Sequence, residues 1–497
     1  MKKVISDSRF QFVGANTNVS RMQFSSRRIG YFEDAMRRFM KNKGSLVAGV
    51  FIIFLLLFSI ITPFCTPYSV NDSDSYYSSC LPKIFQEAGG FFDGTEKKTL
   101  GEVEYYLFKE AGKIRELFRE YETGDDFSGF AKKYDVRLDS YIIGAVHHTF
   151  SGEELKRVLE YDKTVSEKNK VLLPLVDVAW IKEEKQDVSL AESLIRSNAN
   201  YDFRFSSRTK LPILKDGKVQ KAWKKDNQGH YVYYEATGIS KDVYNVRLNY
   251  DNYYYLIHRF RPSFALGSDQ EGRDILTRLS VGARFSLLFA IAISAINFII
   301  GLIYGAIEGF YGETVDIVME RISEILSHIP LIVVIALLKS YDGVYFHLSA
   351  PLMVFVAFIM VGWIRTASLV RMQFYRYKNQ EYILASRTLG ASNSRLIFRH
   401  ILPNAIGTIV TSSVLMIPGV IFAMSSLSYL GIINFEEAGI SCVGTMLAQG
   451  KNSYTTYPNN VLWPALFISS TMICFNLFGN GLRDAFNPQL RGANYAK

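Results

Sequence analysis

The chain has 497 residues, 48% of them hydrophobic, and a formal net charge of +9. Its four cysteines (Cys65, Cys80, Cys442 and Cys474) include no CxxC pair, which excludes a disulfide-braced scaffold and a cysteine metal ladder. Length alone suggests about three domains. Apolar residues are concentrated toward the two ends, however, and that distribution argues for a membrane protein with a soluble insertion.

Residues 1–44 hold ten Lys or Arg against Asp7, Glu33 and Asp34. Positive flanks stay in the cytoplasm, so this basic segment is expected inside the cell. Ser45 to Phe64, "SLVAGVFIIFLLLFSIITPF", carries no charge. It is long enough to cross a bilayer's hydrocarbon core as a first span over residues 45–64. Its length and its distance from the N-terminus argue against a cleaved signal peptide. A basic arm for nucleic acid is the competing reading. The span directly behind it argues against that, and no nucleic-acid partner is expected.

Residues 65–265 mix both charges and hold no window apolar enough to span. They are expected to form one inserted, extracellular, soluble α+β domain. "GEVEYYLFKEAGKIRELFREYE" predicts helix, with Tyr106, Leu107, Ile114, Leu117 and Phe118 on one stripe. "SGEELKRVLEY" predicts a second helix, with Ser151 as N-cap and Glu154 at capping-box spacing. "GKVQKAWKKDNQGHYVYYEA" predicts two strands around a turn at Asp226 to Gly229. The tyrosines at 250 and 253–255 fit packing inside this domain better than stacking on a ligand. Cys65 and Cys80 are open between an external disulfide and two isolated thiols.

From Arg284 the chain returns to the membrane. Apolar runs at 285–310, 322–338 (broken by Pro330), 348–364, 405–433 (with Pro418 inside) and 461–482 bring the total to six spans. Prolines and glycines inside such helices are tolerated where neighbouring helices line a cavity. Six spans starting inside put both termini in the cytoplasm, including the mildly basic tail at 483–497. They also put 65–283 outside and Arg371 to His400 inside. That second loop is basic, with Arg371, Arg376, Lys378, Arg387, Arg395 and Arg399 against Glu381, and it supports the same orientation.

Within this loop, Glu381 to Leu389 favours helix, Gly390 interrupts it, and Ser392 or Asn393 can cap a second short helix. In that second helix Leu396, Ile397, His400 and Ile401 share one face, while Arg395 and Arg399 lie on another. Pro403 opens the next span. The pattern predicts a cytoplasmic knuckle with an apolar face that calls for a partner.

Here the sequence resembles a family. The spacing from Gly390 to Pro403, with Leu402 before the proline, is similar to the EAA coupling loop of bacterial ABC importer permeases, above all the second permease of the peptide and nickel importers. "RRFMKNKGSLVAGVFIIFLLLFSIITPF" resembles that subunit's entry and first span. "LGSDQEGRDILTRLSVGARFSL" resembles its segment before the second span, with Asp269, Gly272, Arg273 and Asp274 in an outer-face turn. "FNLFGNGLRDAFNPQLRG" resembles its closing motif. Together these motifs cover about 35–70 and 262–492.

The resemblance implies a polytopic α-helical permease of the plasma membrane with a five-helix core at 266–482. It assigns Ala385, Ser386, Arg387, Gly390, Ala391, Arg395, Leu396, Arg399 and Pro403 (within 371–403) to ATPase coupling. It implies a heterodimer with a second permease, two ATPase subunits holding ATP and Mg, and an extracellular binding protein that delivers peptide. Nickel or another small solute is the alternative cargo. Two positions depart from the pattern: the triplet falls on Leu384, Ala385 and Ser386 without its glutamate, and His400 replaces an isoleucine.

No GxxxxGK[ST] occurs, so no phosphate-cradling loop is expected in this chain, and no cofactor is expected to be bound by it. HExxH and GxSxG are also absent, which argues against an intramembrane enzyme. His147 and His148 lack further ligands at usable spacing, so no metal is expected. Glu308, Asp316, Glu320 and Glu324 are expected at the membrane interface, because charge inside the bilayer is costly. A sensor displaying the insert would need only one or two spans.

Overall fold

A computed structural model describes residues 31–85, 88–90, 92–125, 129–178, 197–206, 211–237, 242–341 and 349–486, together with Ser193 and Ile195. Most of the expected basic segment (1–30) and the end of the tail (487–497) lie outside the described residues. Helix α1 (Tyr31–Lys41) leads into α2 (Lys43–Cys65) through Asn42, whose side chain accepts from the Ser45 amide. This cap lets a new helix start where the charged flank meets the apolar run.

Among the described residues, five helices are long and apolar enough to cross a membrane: α2, α6 (Ile275–Tyr311), α9 (Ala350–Lys378), α11 (Asn393–Tyr429) and α13 (Asn459–Phe486). A bent pair, α7 (Glu313–Ser327) and α8 (Leu331–Tyr341), turns by 73° near Pro330. Its two ends are held at opposite ends of the bundle. Asp316 and Glu320 of α7 bond Arg371 of α9, whereas Lys339 of α8 donates to the Ile432 carbonyl at 2.9 Å. Ile432 leads to Glu436, which pairs with Arg278 at the start of α6. Counted as one broken span, the pair brings the candidate spans among the described residues from five to six.

The fit of α6 against α9 depends on missing side chains. A Cβ at Gly301, Gly305 or Gly309 would sit 2.6 Å from Thr366, 2.2 Å from the Ala367 carbonyl or 2.7 Å from Phe374. Three glycines at four-residue spacing form a groove for the facing backbone. Around it lies the main core, with Leu287, Ala290, Ile293, Val354, Ala357 and Met424 buried.

Between α2 and α6 lies an α+β unit. Strands β1 (Thr95–Gly101), β2 (Ile114–Asp125) and β3 (Gly129–Asp139) form an antiparallel sheet in the order β1-β3-β2, with α3 (Glu102–Glu110) crossing it. This corrects the single helical stripe expected over 102–122. Gly112, at φ +74°, ends the helical stretch, and Ile114, Leu117 and Phe118 lie on a strand instead. Left-handed backbone suits glycine and stops a helix.

A second sheet joins β4 (Ala145–Ser151), β5 (Leu172–Leu173), β8 (Tyr234–Ala236) and β9 (Val243–Asn249), with β9 central. Ser151 caps α4 (Gly152–Thr164) through the Glu154 amide at 3.3 Å; the Glu154 carboxylate instead accepts from Tyr253 at 2.5 Å. A small hairpin, β6 (Leu214–Lys215) with β7 (Lys218–Val219), completes the strands. The turn over Asp226 to Gly229 forms, with the Asp226 side chain accepting the Gln228 and His230 amides. The expected long strands beside it are broken into short bridges such as Lys225 to Tyr231. Tyr253 and Tyr254 of α5 (Tyr250–His258) are buried. Cys65 is exposed, Cys80 is buried, and both are free thiols.

Candidate functional site

The knuckle is built from local backbone chemistry. Helix α10 (Glu381–Thr388) ends in a Schellman turn, in which the Ala391 amide bonds the Ser386 carbonyl and the Gly390 amide bonds that of Arg387. Gly390 takes φ +83°, and no atom lies within 4 Å of where its Cβ would be. The requirement for glycine is therefore conformational rather than spatial. Ser392 caps the next turn by accepting from the Arg395 amide at 3.4 Å.

The expected second short helix is not separate. Residues 393–429 run as one helix, α11, with a π segment at Leu396–Ile401. Pro403 explains the widening: it has no N–H to donate, and its ring would strike the carbonyl four residues back.

The apolar face also differs from expectation. Leu396, Ile401 and Ile383 are fully buried against Phe310, Val370 and Phe374, so that face anchors the knuckle on its own bundle. The large apolar side chains left outside include Leu389 at 88%, Phe398 at 66% and Leu384 at 45% exposure. Ala385, Arg387, Gly390, Arg395, Arg399 and Pro403 are exposed, while Ser386, Ala391 and His400 are half-buried.

Behind the knuckle, Arg371 lies within α9 rather than in a loop. Its guanidinium donates to Asp316 at 2.6 and 2.9 Å and to Glu320 at 2.6 and 2.8 Å, with Glu308 at 3.5 Å. Tyr375 also donates to Asp316, at 2.6 Å. The acidic residues expected at the interface are thus collected on one cation, except Glu324, which pairs with Arg321.

At the other end, Asp269 organises the turn at 269–274 by accepting the Glu271 and Arg273 amides and the Arg273 side chain, each at 2.9 Å. Asp274 caps α6 through Thr277, and burial pushes its carboxyl above the usual carboxylate range. A residue outside the sequence-based set dominates this end. Arg278, 1% exposed, pairs with Asp269 and Glu436 and donates to Gln449 at 2.8 Å. Gln449 belongs to α12 (Val443–Gly450). A charge one turn inside α6 was the available signal; of its partners Asp269 is nine residues away, but Glu436 and Gln449, 158 and 171 residues away, left none.

The segment after α2 is strapped beneath this turn. Ser79 and Cys80 bond Asp269 and Ser268 backbone or side-chain oxygens at 2.8 and 2.7 Å, and a Cβ on Gly272 would fall 1.8 Å from the Asp74 carbonyl. The α+β unit therefore lies at the end of the bundle opposite the knuckle. Ser45 of α2 donates to the Leu477 carbonyl of α13, and a Cβ on Gly481 would meet the Ser45 side chain. The beginning of α2 and the end of α13 thus lie side by side.

A family model described as the binding-protein-dependent transport system inner membrane component matches residues 297–492, and one described as the N-terminal TM domain of oligopeptide transport permease C matches residues 30–82. The oligopeptide transport system permease protein OppC of Bacillus subtilis (strain 168) is 42% identical over 227 residues, covering 45% of this chain and 72% of that protein. The dipeptide transport system permease protein DppC of the same organism is 39% identical over 226 residues, covering 45% and 68%. The OppC of Escherichia coli (strain K12) is 38% identical over 225 residues, covering 45% and 72%. Among solved structures, the MetNI methionine ABC transporter in an inward facing conformation aligns with a TM-score of 0.35 at 16% identity, over 42% of this chain and 96% of that one.

Proposed function

Because this chain belongs to the family of binding-protein-dependent transport system inner membrane components, we propose that it is a permease subunit of an ATP-driven importer of peptides. The observation that carries the reading is the exposed pair Leu389 and Phe398 on a knuckle whose other apolar face is already buried. Large apolar tips on a rigid, basic support fit insertion into a cleft of a separate ATPase subunit. ATP and Mg belong to two such partners.

The knuckle, α1 and the end of α13 face the cytoplasm, and the α+β unit faces outward. A second permease subunit completes the pathway as a heterodimer, and an external binding protein delivers the peptide. Closure of the ATPases then biases a two-state bundle between its inward and outward forms. The α+β unit acts as a docking or gating accessory at the outer mouth and performs no catalysis.

The test is ATP-dependent peptide uptake by the reconstituted complex in vesicles, with the Leu389→Glu/Phe398→Glu double variant beside it. The variant is expected to insert normally, lose ATPase co-purification and lose uptake. Unchanged uptake would refute the docking assignment. Uptake of nickel without peptide would replace the cargo.

A further inference from the structure

A cavity of about 350 Å³ opens between the strap after α2, helix α5 and the outer turn. Its size lies in the range of small-ligand sites. Tyr68, Tyr76, Tyr250 and Tyr254 line it together with Asp72 and Asp74, and no Lys or Arg does. The Asp74 carboxylate accepts from the Tyr250 hydroxyl at 2.7 Å and the Tyr76 amide at 3.0 Å, which hold it at the wall. Asp72 is exposed and accepts the Ser69 amide through one oxygen, at 2.8 Å. Its other oxygen has no partner among the described residues.

Tyr254 supplies a second, independent observation. It is 6% exposed, its ring stacks on His258 at 4.2 Å, and its hydroxyl has no hydrogen-bond partner among the described residues. That leaves the hydroxyl free to bond whatever occupies the cavity. Aromatic faces and carboxylates, here beside His258 and with no Lys or Arg in the wall, are surroundings that hold an organic cation.

We propose that this cavity binds a primary ammonium group, with Asp72 and Asp74 as counter-charges, the tyrosine faces as its walls and the Tyr254 hydroxyl as a hydrogen-bond acceptor. An incoming peptide offers that group in two places, its free amino end and a lysine side chain. The inference rests on the peptide-importer reading only for this choice of source.

The experiment uses the full chain in lipid nanodiscs and isothermal titration calorimetry. The probes are trialanine, N-acetyl-trialanine and N-acetyl-lysine amide. At least one free amine is expected to bind, and N-acetyl-trialanine at least about tenfold more weakly, the loss expected for one charge-assisted hydrogen bond. Binding of trialanine alone assigns the amino end, and binding of N-acetyl-lysine amide alone assigns the side chain. Asp72→Asn, at an exposed position, should weaken the bound amine several-fold, and Tyr254→Phe, which keeps the ring, should do the same. No binding of either amine, equal binding of the acetylated peptide, or no change in both variants overturns the proposal. Peptide uptake by the assembled complex is read separately. Uptake without amine binding overturns this site and leaves the importer reading standing; amine binding without uptake does the reverse.

Discussion

Arg278 at the insert end and Arg371 at the knuckle end each gather carboxylates from separate segments, but their surroundings differ. The Arg278 side chain is 2% exposed and its Nε has no partner among the described residues, whereas the Arg371 side chain is 21% exposed and every guanidinium nitrogen is paired. Arg278 joins the outer turn, Glu436 and α12 into one block, to which the strap and the α+β unit are also bonded. Arg371 joins α6, α7 and α9 where water reaches part of the network. A dry pair is costly to break because it leaves charge stranded, while a wet one is partly rescued by solvent. On the importer reading proposed above, the insert end is expected to stay a welded platform and the knuckle end to shift.

The largest effect is expected at the dry network. Arg278→Met should lower the stability of the full chain by about 3–5 kcal/mol, because Glu436 loses its counter-charge and Asp269 is left with Arg273 alone. Thermal unfolding in nanodiscs reads this directly. Arg371→Met should cost less, roughly 1.5–3 kcal/mol, and should reduce uptake by more than its stability loss explains. Equal losses in the two variants would erase the contrast.

Gly390→Asp should cost about 1–2 kcal/mol, the penalty for a Cβ in left-handed backbone. Its main effect should be lost ATPase association, measured by co-purification. Gly390→Asn, which tolerates that conformation better, should retain more association; a reversed order would show that the turn's shape is not what matters.

The smallest effect concerns pH in the α+β unit. Burial raises the Asp251 carboxyl despite the Ile143 and Gly144 amides that it accepts. The folded state therefore binds this proton more tightly than the unfolded chain, so stability rises as pH falls from the raised value toward the ordinary one near about 3.9. The wild-type chain should gain stability relative to Asp251→Asn over that window, by melting temperature. A parallel pH course in the two proteins would refute it.

Much of the permease core was legible in the sequence, and its errors are instructive. Charge-free runs announced the spans because a bilayer leaves few alternatives. Gly390 and Ser392 announced the knuckle because their roles are local. The stripe over 102–122 misled because Ile114, Leu117 and Phe118 fit either period, and strand pairing with β3 decided between them. The apolar face of Leu396 and Ile401 was seen, but not that Phe310, Val370 and Phe374 already cover it. The 301/305/309 glycines carried a readable spacing that went unused.

By itself the sequence determined which segments are long and apolar enough to span, where a turn needs positive φ, and that no GxxxxGK[ST] stretch occurs in it. Each follows from local chemistry: transfer of side chains from water, backbone sterics, or a short contiguous motif. Only the tertiary structure decided that Arg278 meets Glu436, that Arg371 collects three carboxylates, which knuckle side chains remain outside, and that Tyr68, Asp74 and Tyr254 wall one cavity. Those pairings join residues tens to hundreds of positions apart. Their partners are selected by the packing of whole helices, which no local window contains.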